Sequence, residues 1–254
     1  MESSSVTKNK ILGSRVDPTS YEQAVQQVIT WARDHESRYV CAANVHVIME
    51  AYDSIEFRQI VNEADLVTPD GMPLVWMLRR LGYPEQGRVY GPELTIKLIE
   101  AVATQKIPVG FYGGTVETLE RLTTLFEKKY PDLKIAYSYS PPFRSTTTEE
   151  DEAIIRAVNA SGTQILFVGL GCPKQERWMG SHRDKIQAVM LGVGAAFDFY
   201  AGNKRQAPLW MQRNGLEWLF RFLQEPTRLW RRYFYHNPRF IILAIMQLIG
   251  IARF

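Results

Sequence analysis

The chain is poor in cysteine and has neither a long apolar run nor an internal repeat. Its two cysteines, Cys41 and Cys172, are too few for a disulfide framework and have no partner at metal-ligand spacing, which favours a reducing, cytoplasmic compartment. The main apolar run, residues 240–249, would extend only about 15 Å as a helix, half the thickness of a bilayer core. We therefore expect this run to lie on a membrane or in a core and not to cross a bilayer.

Signatures of two ligand classes are also missing. No Asp-x-Asp occurs, so a divalent cation that holds a nucleotide diphosphate has no obvious ligands, and we expect neither a metal nor a cofactor. Gly169 and Gly171 lack the third glycine of a dinucleotide fingerprint, and no acidic residue follows at the required distance. Residues 1–8 are polar and lack the apolar run of a signal peptide, and we expect them to be mobile.

The tail, defined here as residues 204–254, differs in charge from the rest of the chain. It contains nine Lys or Arg against two acids, a formal +7, whereas the whole chain carries +3, so residues 1–203 sum to −4. Five aromatic residues are interleaved with these basic ones: Trp210, Trp218, Trp230, Tyr233 and Tyr235. Arginine binds phosphate through two parallel hydrogen bonds, and Trp and Tyr favour surfaces with one apolar and one wet side. The tail therefore predicts contact with an anionic membrane surface or a lipid phosphate, and no nucleic-acid partner is expected.

Short β-branched or apolar runs alternate with longer amphipathic ones over most of the chain. This alternation predicts an α/β fold, a mostly parallel, Rossmann-like sheet with helices on both faces, followed beyond Pro208 by helices alone. The predicted strands are residues 11–16, 39–42, 66–68, 109–112, 134–138, 165–169 and 188–192. The predicted helices are residues 21–34, 55–63, 73–81, 92–103, 116–129, 148–159 and 173–181. We expect a mobile N-terminus at residues 1–10, an α/β catalytic domain at residues 11–203 and a helical, membrane-docking appendage at residues 204–254.

Several candidate site residues directly follow predicted strands, where ligands of parallel sheets bind. Asp70 is a candidate general base, although Pro-Asp-Gly is also a common turn sequence. Asn44 can contact a ligand hydroxyl. Gly113 and Gly114 can let backbone N–H groups approach a phosphate, and a tight strand-to-helix turn explains these glycines equally well.

The segment 169–178 is a stronger candidate than the other turns. Gly171 follows a strand, and three polar residues stand at the start of the next helix: Lys174, Gln175 and Glu176. Together they can bind a sugar or a phosphate. The alternative is helix capping by Glu176 beside a solvated Lys174.

The remaining polar residues are interpreted structurally. Asp65 precedes a strand and is expected to cap it or to face solvent. The acids at 149–152 lie in the first turn of a helix, where they complement the helix dipole. No histidine has a nearby partner in sequence for metal or catalytic chemistry: His35, His46, His182 and His236.

Eight motifs, in order between residues 11 and about 235, together match a known family. They are Asn44-Val-His, Thr68-Pro-Asp-Gly-Met-Pro73, Arg88-Val-Tyr-Gly-Pro92, Phe111-Tyr-Gly-Gly114, Val168-Gly-Leu-Gly-Cys-Pro-Lys-Gln-Glu176, Gly192-Val-Gly-Ala-Ala-Phe-Asp-Phe199, Arg205-Gln-Ala-Pro208 and the segment 215–233. The chain resembles the WecG/TagA/CpsF family of bacterial glycosyltransferases, family 26. This resemblance implies transfer of a sugar from a UDP-sugar, typically UDP-N-acetylmannosamine or its uronic acid, to a polyprenyl-diphosphate-linked sugar. The implied enzyme is inverting, metal-independent and peripheral on the inner face of the cell membrane, in cell-surface polysaccharide synthesis.

The resemblance also implies roles for residues at matching positions. Asp70 matches the proposed catalytic base, Asn44 and Gln175 match contacts to sugar or nucleotide, and Arg88 matches a phosphate contact. Three arginines of the tail match those proposed to bind the diphosphate: Arg221, Arg228 and Arg231. Their spacing places them on one helix face if Pro226 only begins or kinks a turn.

Other functions and donors stay open at this stage. Ala42 stands where some family members have Thr, which removes a hydroxyl contact, so another UDP-hexose or uronic acid donor is an alternative. A nucleotide-dependent oxidoreductase and a membrane-bound scaffold without catalysis are the other classes. The sequence also leaves open whether the tail contacts lipid or another subunit of a homo-oligomer.

Overall fold

The computed structural model describes residues 9–252 and residue 254, apart from the side chain of residue 232. The mobility expected for residues 1–8 lies outside the described residues.

A six-stranded parallel sheet forms the centre of the molecule, in the order β4-β3-β8-β7-β5-β6. Its strands are β3 Arg38–Ala43, β4 Leu66–Pro69, β5 Val109–Gly113, β6 Ile135–Tyr139, β7 Ile165–Gly169 and β8 Val189–Gly192. Strand β3 lies between β4 and β8, and its Val40 pairs with Leu66 of β4 on one side and with Leu191 of β8 on the other. Because the strands are parallel, their carboxyl ends share one edge of the sheet, called here the carboxyl edge.

Helices cover both faces of the sheet and bury a separate apolar core on each. One core contains residues of α2 Val45–Asp53, α3 Ile55–Glu63, α4 Met72–Arg80, α7 Thr148–Ala160 and α8 Lys174–His182. The other contains residues of α1 Tyr21–Arg33, α5 Gly91–Gln105, α6 Val116–Lys129 and α9 Ala196–Tyr200. Within β3, Tyr39 and Cys41 enter the first core and Val40 the second, as the two-residue period of a strand requires. The predicted α/β fold is therefore confirmed.

One predicted strand was wrong, and one helix was not predicted. Residues 11–16 are not one strand but an antiparallel hairpin, β1 Lys10–Ile11 and β2 Ser14–Arg15. Leu12 and Gly13 turn the chain with φ of 49° and 81°. Helix α2 was not predicted, because its β-branched residues weaken the helical pattern; Asn44 caps it, accepting hydrogen bonds from two backbone N–H groups.

The chain beyond Pro208 is helical, as predicted. It contains α10 Leu209–Arg213, α11 Glu217–Gln224, α12 Pro226–Arg231, a π-helix Arg232–His236 and α13 Asn237–Leu248. Helix α13 buries Phe240 and Ala244 in the first core, and the Gln247 amide bonds the β1–β2 hairpin at Lys10 and Leu12. Among the helices of the described residues, none combines the length and apolar character needed to cross a membrane.

Candidate active site

Asp70 lies at the carboxyl edge, directly after β4, and is only 8% exposed. Its Oδ1 accepts a hydrogen bond of 2.7 Å from the Gly91 backbone N–H, and its Oδ2 accepts one of 3.2 Å from Asn44 Nδ2. Both partners are more than 20 residues away in sequence, so these bonds are not those of an Asx-turn, in which the side chain bonds its own turn. The carboxylate is held in place by the fold and faces a cavity.

Burial raises the pKa of Asp70 above the usual range of a carboxyl group. The positive charge of Arg88 acts in the opposite direction, the negative charge of Glu217 adds to the increase, and the bonds from Gly91 and Asn44 lower the pKa. A raised pKa makes the carboxylate a better proton acceptor, which suits a general base.

Asn44 has a fixed orientation. Its Oδ1 accepts hydrogen bonds from the backbone N–H groups of His46, at 3.0 Å, and Val47, at 3.4 Å. The amide nitrogen is thereby left to donate to Asp70. Asn44 therefore positions the Asp70 carboxylate, and its predicted contact with a sugar or nucleotide stays a prediction.

Arg88 joins the sheet to the tail. Its Nε donates to the backbone carbonyl oxygen of Asp70, and its NH2 group lies 2.6 Å from a carboxylate oxygen of Glu217 in α11. The guanidinium also stacks on the Tyr90 ring, 3.9 Å from the centroid, and the Tyr90 hydroxyl donates to Glu217 at 3.1 Å. Glu217 was not predicted as a site residue, although it is one of only two acids in the basic tail. The predicted phosphate contact of Arg88 stays a prediction.

A cavity of about 970 Å³ opens at Asp70 between the carboxyl edge and the tail. Its polar lining includes Asn44, Asp70, Arg80 and Arg221, and its apolar wall comes from α4 and α13. Burial acts to lower the pKa of Arg221, but Tyr233 and Glu217 outweigh it and raise the net value, so this side chain remains a cation. The cavity thus combines a carboxylate, two arginine side chains and an apolar wall. Arg80 was not predicted.

The three predicted tail arginines do not share one helix face. Helix α11, which carries Arg221, ends at Gln224, and Pro226 begins α12, which carries Arg228 and Arg231. Arg221 lines the cavity, whereas Arg228 is exposed and pairs with Glu225 at 2.6 Å. Arg231 is also exposed and is not part of the cavity lining. The catalytic roles of Arg228 and Arg231 stay predictions.

The predicted glycines lie at the carboxyl edge, beyond the cavity that contains Asp70. Gly113 has φ of 121°, and a Cβ there would lie 2.7 Å from the Gly169 backbone, so the close approach of β5 and β7 requires glycine. Gly114 and Gly171 also have positive φ, of 70° and 78°. These positions are consistent both with a tight turn and with backbone N–H groups that approach a phosphate.

The three polar residues of the segment 169–178 separate into two groups. Gln175 and Glu176 are buried, and Gln175 Oε1 accepts hydrogen bonds from the backbone N–H groups of Gly171 and Gly194. The Gln175 amide nitrogen donates to Glu176. The pair therefore holds two loops of the carboxyl edge together, while Lys174 is exposed at the start of α8. Direct substrate contacts of these residues stay predictions.

The expectation that the histidines lack partners was wrong. His46 and Glu50 of α2 lie near His236 of the π-helix, and one ligand atom from each lies within 4.8 Å of the others, a group that could hold a metal ion. His182 contacts Asp151 at 3.0 Å. The fourth, His35, bonds Gln164 at 3.0 Å. Sequence distance hid most of these contacts, although Glu50 stands one helical turn after His46.

Asp65 was also assigned wrongly. Its side chain is 6% exposed and contacts Arg38 at 2.7 Å and Arg183 at 3.0 Å. It also accepts the backbone N–H of Tyr39. It therefore forms the buried centre of an ion-pair network whose two arginines are about one-third exposed. Of the acids at 149–152, the first three lie in the first turn of α7 as predicted, and Glu150 forms a capping box with Thr147.

Two relatives with assigned activities are similar to this chain over most of their length. Both are named N-acetylglucosaminyldiphosphoundecaprenol N-acetyl-beta-D-mannosaminyltransferase. The protein from Staphylococcus aureus strain MW2 is 27% identical over 233 residues, covering 91% of this chain and 90% of its own. The protein from Bacillus spizizenii strain W23 is 31% identical over 208 residues, covering 80% of this chain and 77% of its own.

The model of the glycosyl transferase WecG/TagA/CpsF family matches residues 9–253, nearly the whole chain. The match covers the sheet, the cavity and the tail together. With the two relatives, which transfer a hexose derivative, it confirms the prediction of a hexosyltransferase. The chain therefore belongs to the WecG/TagA/CpsF family of glycosyl transferases.

Proposed function

We propose that the chain transfers an N-acetylmannosamine-type sugar from a UDP-sugar to a polyprenyl-diphosphate-linked sugar, with inversion and without a metal at the donor diphosphate. The observation that carries this proposal is that Asp70 is buried, is held by Gly91 and Asn44, and faces a cavity lined by two arginines and an apolar wall. The names of the two relatives support the acceptor, because both denote transfer to a sugar on a diphosphate-linked polyprenol.

The reaction follows from the position and pKa of Asp70. A hydroxyl of the acceptor sugar attacks the anomeric carbon of the donor from the face opposite UDP. The new carbon–oxygen bond forms as the bond to the UDP oxygen breaks, the bonding electrons leave with UDP, and the hydroxyl proton passes to Asp70. Attack opposite the leaving group inverts the anomeric configuration. The raised pKa of Asp70 brings it closer to the pH at which a base works best.

Fixed charges and backbone dipoles stabilise the leaving diphosphate in this proposal. Arg221 lines the cavity and remains cationic. Preorganised cations and N–H groups stabilise developing charge without reorganising during the reaction. The glycine turn at Gly113 and Gly114 can add backbone N–H groups, whereas the Gly171 N–H already donates to Gln175. Asp70 follows β4, and β7 and β5 lie three and four strands from β4, about 14 and 19 Å away. We place the UDP moiety along this edge, between Gly113, Gly171 and Asp70.

The apolar wall of the cavity accounts for the lipid part of the acceptor. Trp76 of α4 and Ile241 and Ile245 of α13 line the same cavity as Asp70. Each is about half exposed, so a chain of isoprene units would cover apolar surface that otherwise faces water. In this arrangement the acceptor sugar points to Asp70 and its lipid leaves between α4 and α13.

The tail supports a location on the inner face of the cell membrane. Beyond the cavity, it exposes Trp230, Phe234, Ile242 and Ile251, each more than half exposed. These apolar side chains stand among basic residues, the combination that binds an anionic bilayer surface. We propose that residues 204–254 form an appendage that docks there and brings the cavity to its lipid-linked acceptor.

A donor panel tests the proposed function. Purified enzyme is mixed with a polyprenyl-diphosphate-linked N-acetylglucosamine and one of several UDP-sugars, including a uronic acid, without added Mg²⁺ or Mn²⁺. UDP release and the mass of the lipid product are measured. We expect acceptor-dependent UDP release with UDP-N-acetylmannosamine and a product with one added sugar.

Two outcomes count against the proposal. Release of UDP without a lengthened lipid product would indicate donor hydrolysis and not transfer. A strong preference for another donor would keep the mechanism and replace the sugar, which is the alternative that Ala42 leaves open.

A further inference from the structure

A cluster of two histidines and one glutamate lies at the wall of the cavity, outside the set of residues proposed for transfer. His46 Nδ1 and His236 Nε2 each lie 3.7 Å from the same oxygen of Glu50, Oε1. The two imidazole rings are 5.6 Å apart and nearly edge to face. One ligand atom of each of the three residues lies within 4.8 Å of the others.

We propose that His46, Glu50 and His236 bind one zinc-type divalent ion. Two imidazole nitrogens and one carboxylate oxygen are a common zinc ligand set, which leaves a fourth position for water. Ligands about 2.1 Å from a tetrahedral ion lie roughly 3.4 Å from one another. The observed separations of 3.7 Å to Glu50 are within a few tenths of an ångström of this spacing.

The local structure brings the three ligands together from distant parts of the chain. His46 and Glu50 are four residues apart on α2, so they share one helix face. His236 ends the π-helix, a rare element that often occurs at functional sites. The site is partly enclosed, because the two histidine side chains are 13% exposed and Glu50 is 33% exposed.

Such an ion would connect the tail to the active site. Helix α2 is capped by Asn44, which donates a hydrogen bond to the Asp70 carboxylate. The π-helix leads into α13, which forms part of the apolar wall of the cavity. Binding at three ligands would therefore fix the wall relative to the carboxylate. This role differs from that of a cation bridging a nucleotide diphosphate, because the ligand set here uses two histidines and not paired aspartates.

Zinc binding to the purified protein tests the proposal. Tag-free protein is stripped with a chelator, incubated with Zn²⁺, passed through a desalting column and analysed for zinc. We expect about one Zn²⁺ per chain and a higher midpoint of thermal unfolding with Zn²⁺ than without. Co²⁺ in place of Zn²⁺ should give the visible absorption of a four- or five-coordinate site.

Substitution of the proposed ligands tests whether the ion binds at this cluster. His236→Ala and Glu50→Gln should each weaken zinc binding at least ~100-fold, because each removes one of three ligands. His35→Ala, at an exposed histidine elsewhere, should bind zinc like the parent, and so should Asp70→Asn, so the test is independent of transfer.

Parent protein that retains no zinc and shows no Co²⁺ absorption would overturn the proposal, and this result does not depend on whether any variant folds. Undiminished zinc binding by His236→Ala and Glu50→Gln would overturn it as well, because the ion would then lie elsewhere.

Discussion

Arg88 and Glu217 form an ion pair of 2.6 Å that links the sheet to the tail beside the catalytic candidate Asp70. The two residues are 129 positions apart, and both side chains are about 15% exposed. Arg88 also donates to the backbone of Asp70, so the same side chain contacts the candidate base and the tail. A charge pair that is largely removed from water therefore joins the tail to the sheet beside the cavity.

Breaking this pair should destabilise the protein far more than breaking an exposed one. Glu217→Gln leaves the buried Arg88 charge without its carboxylate, which we expect to lower the free energy of unfolding by about 3 kcal/mol. Chemical denaturation monitored by circular dichroism measures the difference.

Arg228→Gln is the matched control for that measurement, because the Arg228–Glu225 pair has the same 2.6 Å distance but Arg228 is 55% exposed. We expect it to cost about 0–1 kcal/mol. Equal losses in the two variants would show that the burial of the Arg88 pair does not matter.

The pH dependence of transfer should report the raised pKa of Asp70. A base must be deprotonated to act, so kcat/KM should fall as pH decreases through the pKa of Asp70. Because burial raises that pKa, the acidic limb should lie above the usual Asp value of about 3.9. Glu217→Gln removes a negative charge that raises the pKa of Asp70 and leaves Arg88 in place, so the limb should move to lower pH.

Asp70→Asn should lower kcat about 100- to 10,000-fold across this pH range, since the amide cannot accept the proton. Asp132→Asn changes an exposed carboxyl in the same way and should keep the parental rate and profile. Turnover of Asp70→Asn within a few-fold of the parent would remove the general-base role.

Gly113 should tolerate no side chain. Gly113→Ala places a Cβ 2.7 Å from the Gly169 backbone at φ of 121°, so strand β5 or β7 must move. We expect a loss of about 3 kcal/mol, a decrease of roughly 6–12 °C in the thermal midpoint. Gly82→Ala has a similar positive φ of 110° but open space around the Cβ, so it should cost about 1 kcal/mol. Differential scanning calorimetry of both variants separates contact from backbone strain, and equal losses would contradict the close approach of the two strands.

The sheet and the place of Asp70 were predictable because both depend on local patterns. Apolar runs predicted, to within a few residues, six of the eight strands in the part of the chain that the structure describes. Parallel sheets bind ligands where such strands end. The contacts that define the site were not predictable in this way. Gly91 contacts Asp70, and Glu217 contacts Arg88, although each pair is far apart in sequence. His236 in the tail lies beside Glu50 and is 186 residues away from it in sequence. Contacts between residues so far apart leave no pattern in a single sequence. The ion pairs of Asp65 with Arg38 and Arg183 were not predicted for the same reason.

Docking of the tail to a membrane should depend on its exposed aromatic residues. Trp230 and Phe234 are 57% and 62% exposed and do not line the cavity, so Trp230→Ser with Phe234→Ser removes exposed apolar surface outside the cavity lining. We expect at least ~10-fold weaker binding to vesicles containing anionic lipid, measured by cosedimentation, and slower transfer to a vesicle-embedded acceptor.

Phe143→Ser is the matched control, because Phe143 is 87% exposed on the loop after β6, and it should bind vesicles like the parent. If instead the double variant binds vesicles normally but changes from a dimer to a monomer in light scattering, the exposed aromatics contact a second copy of the chain and not lipid.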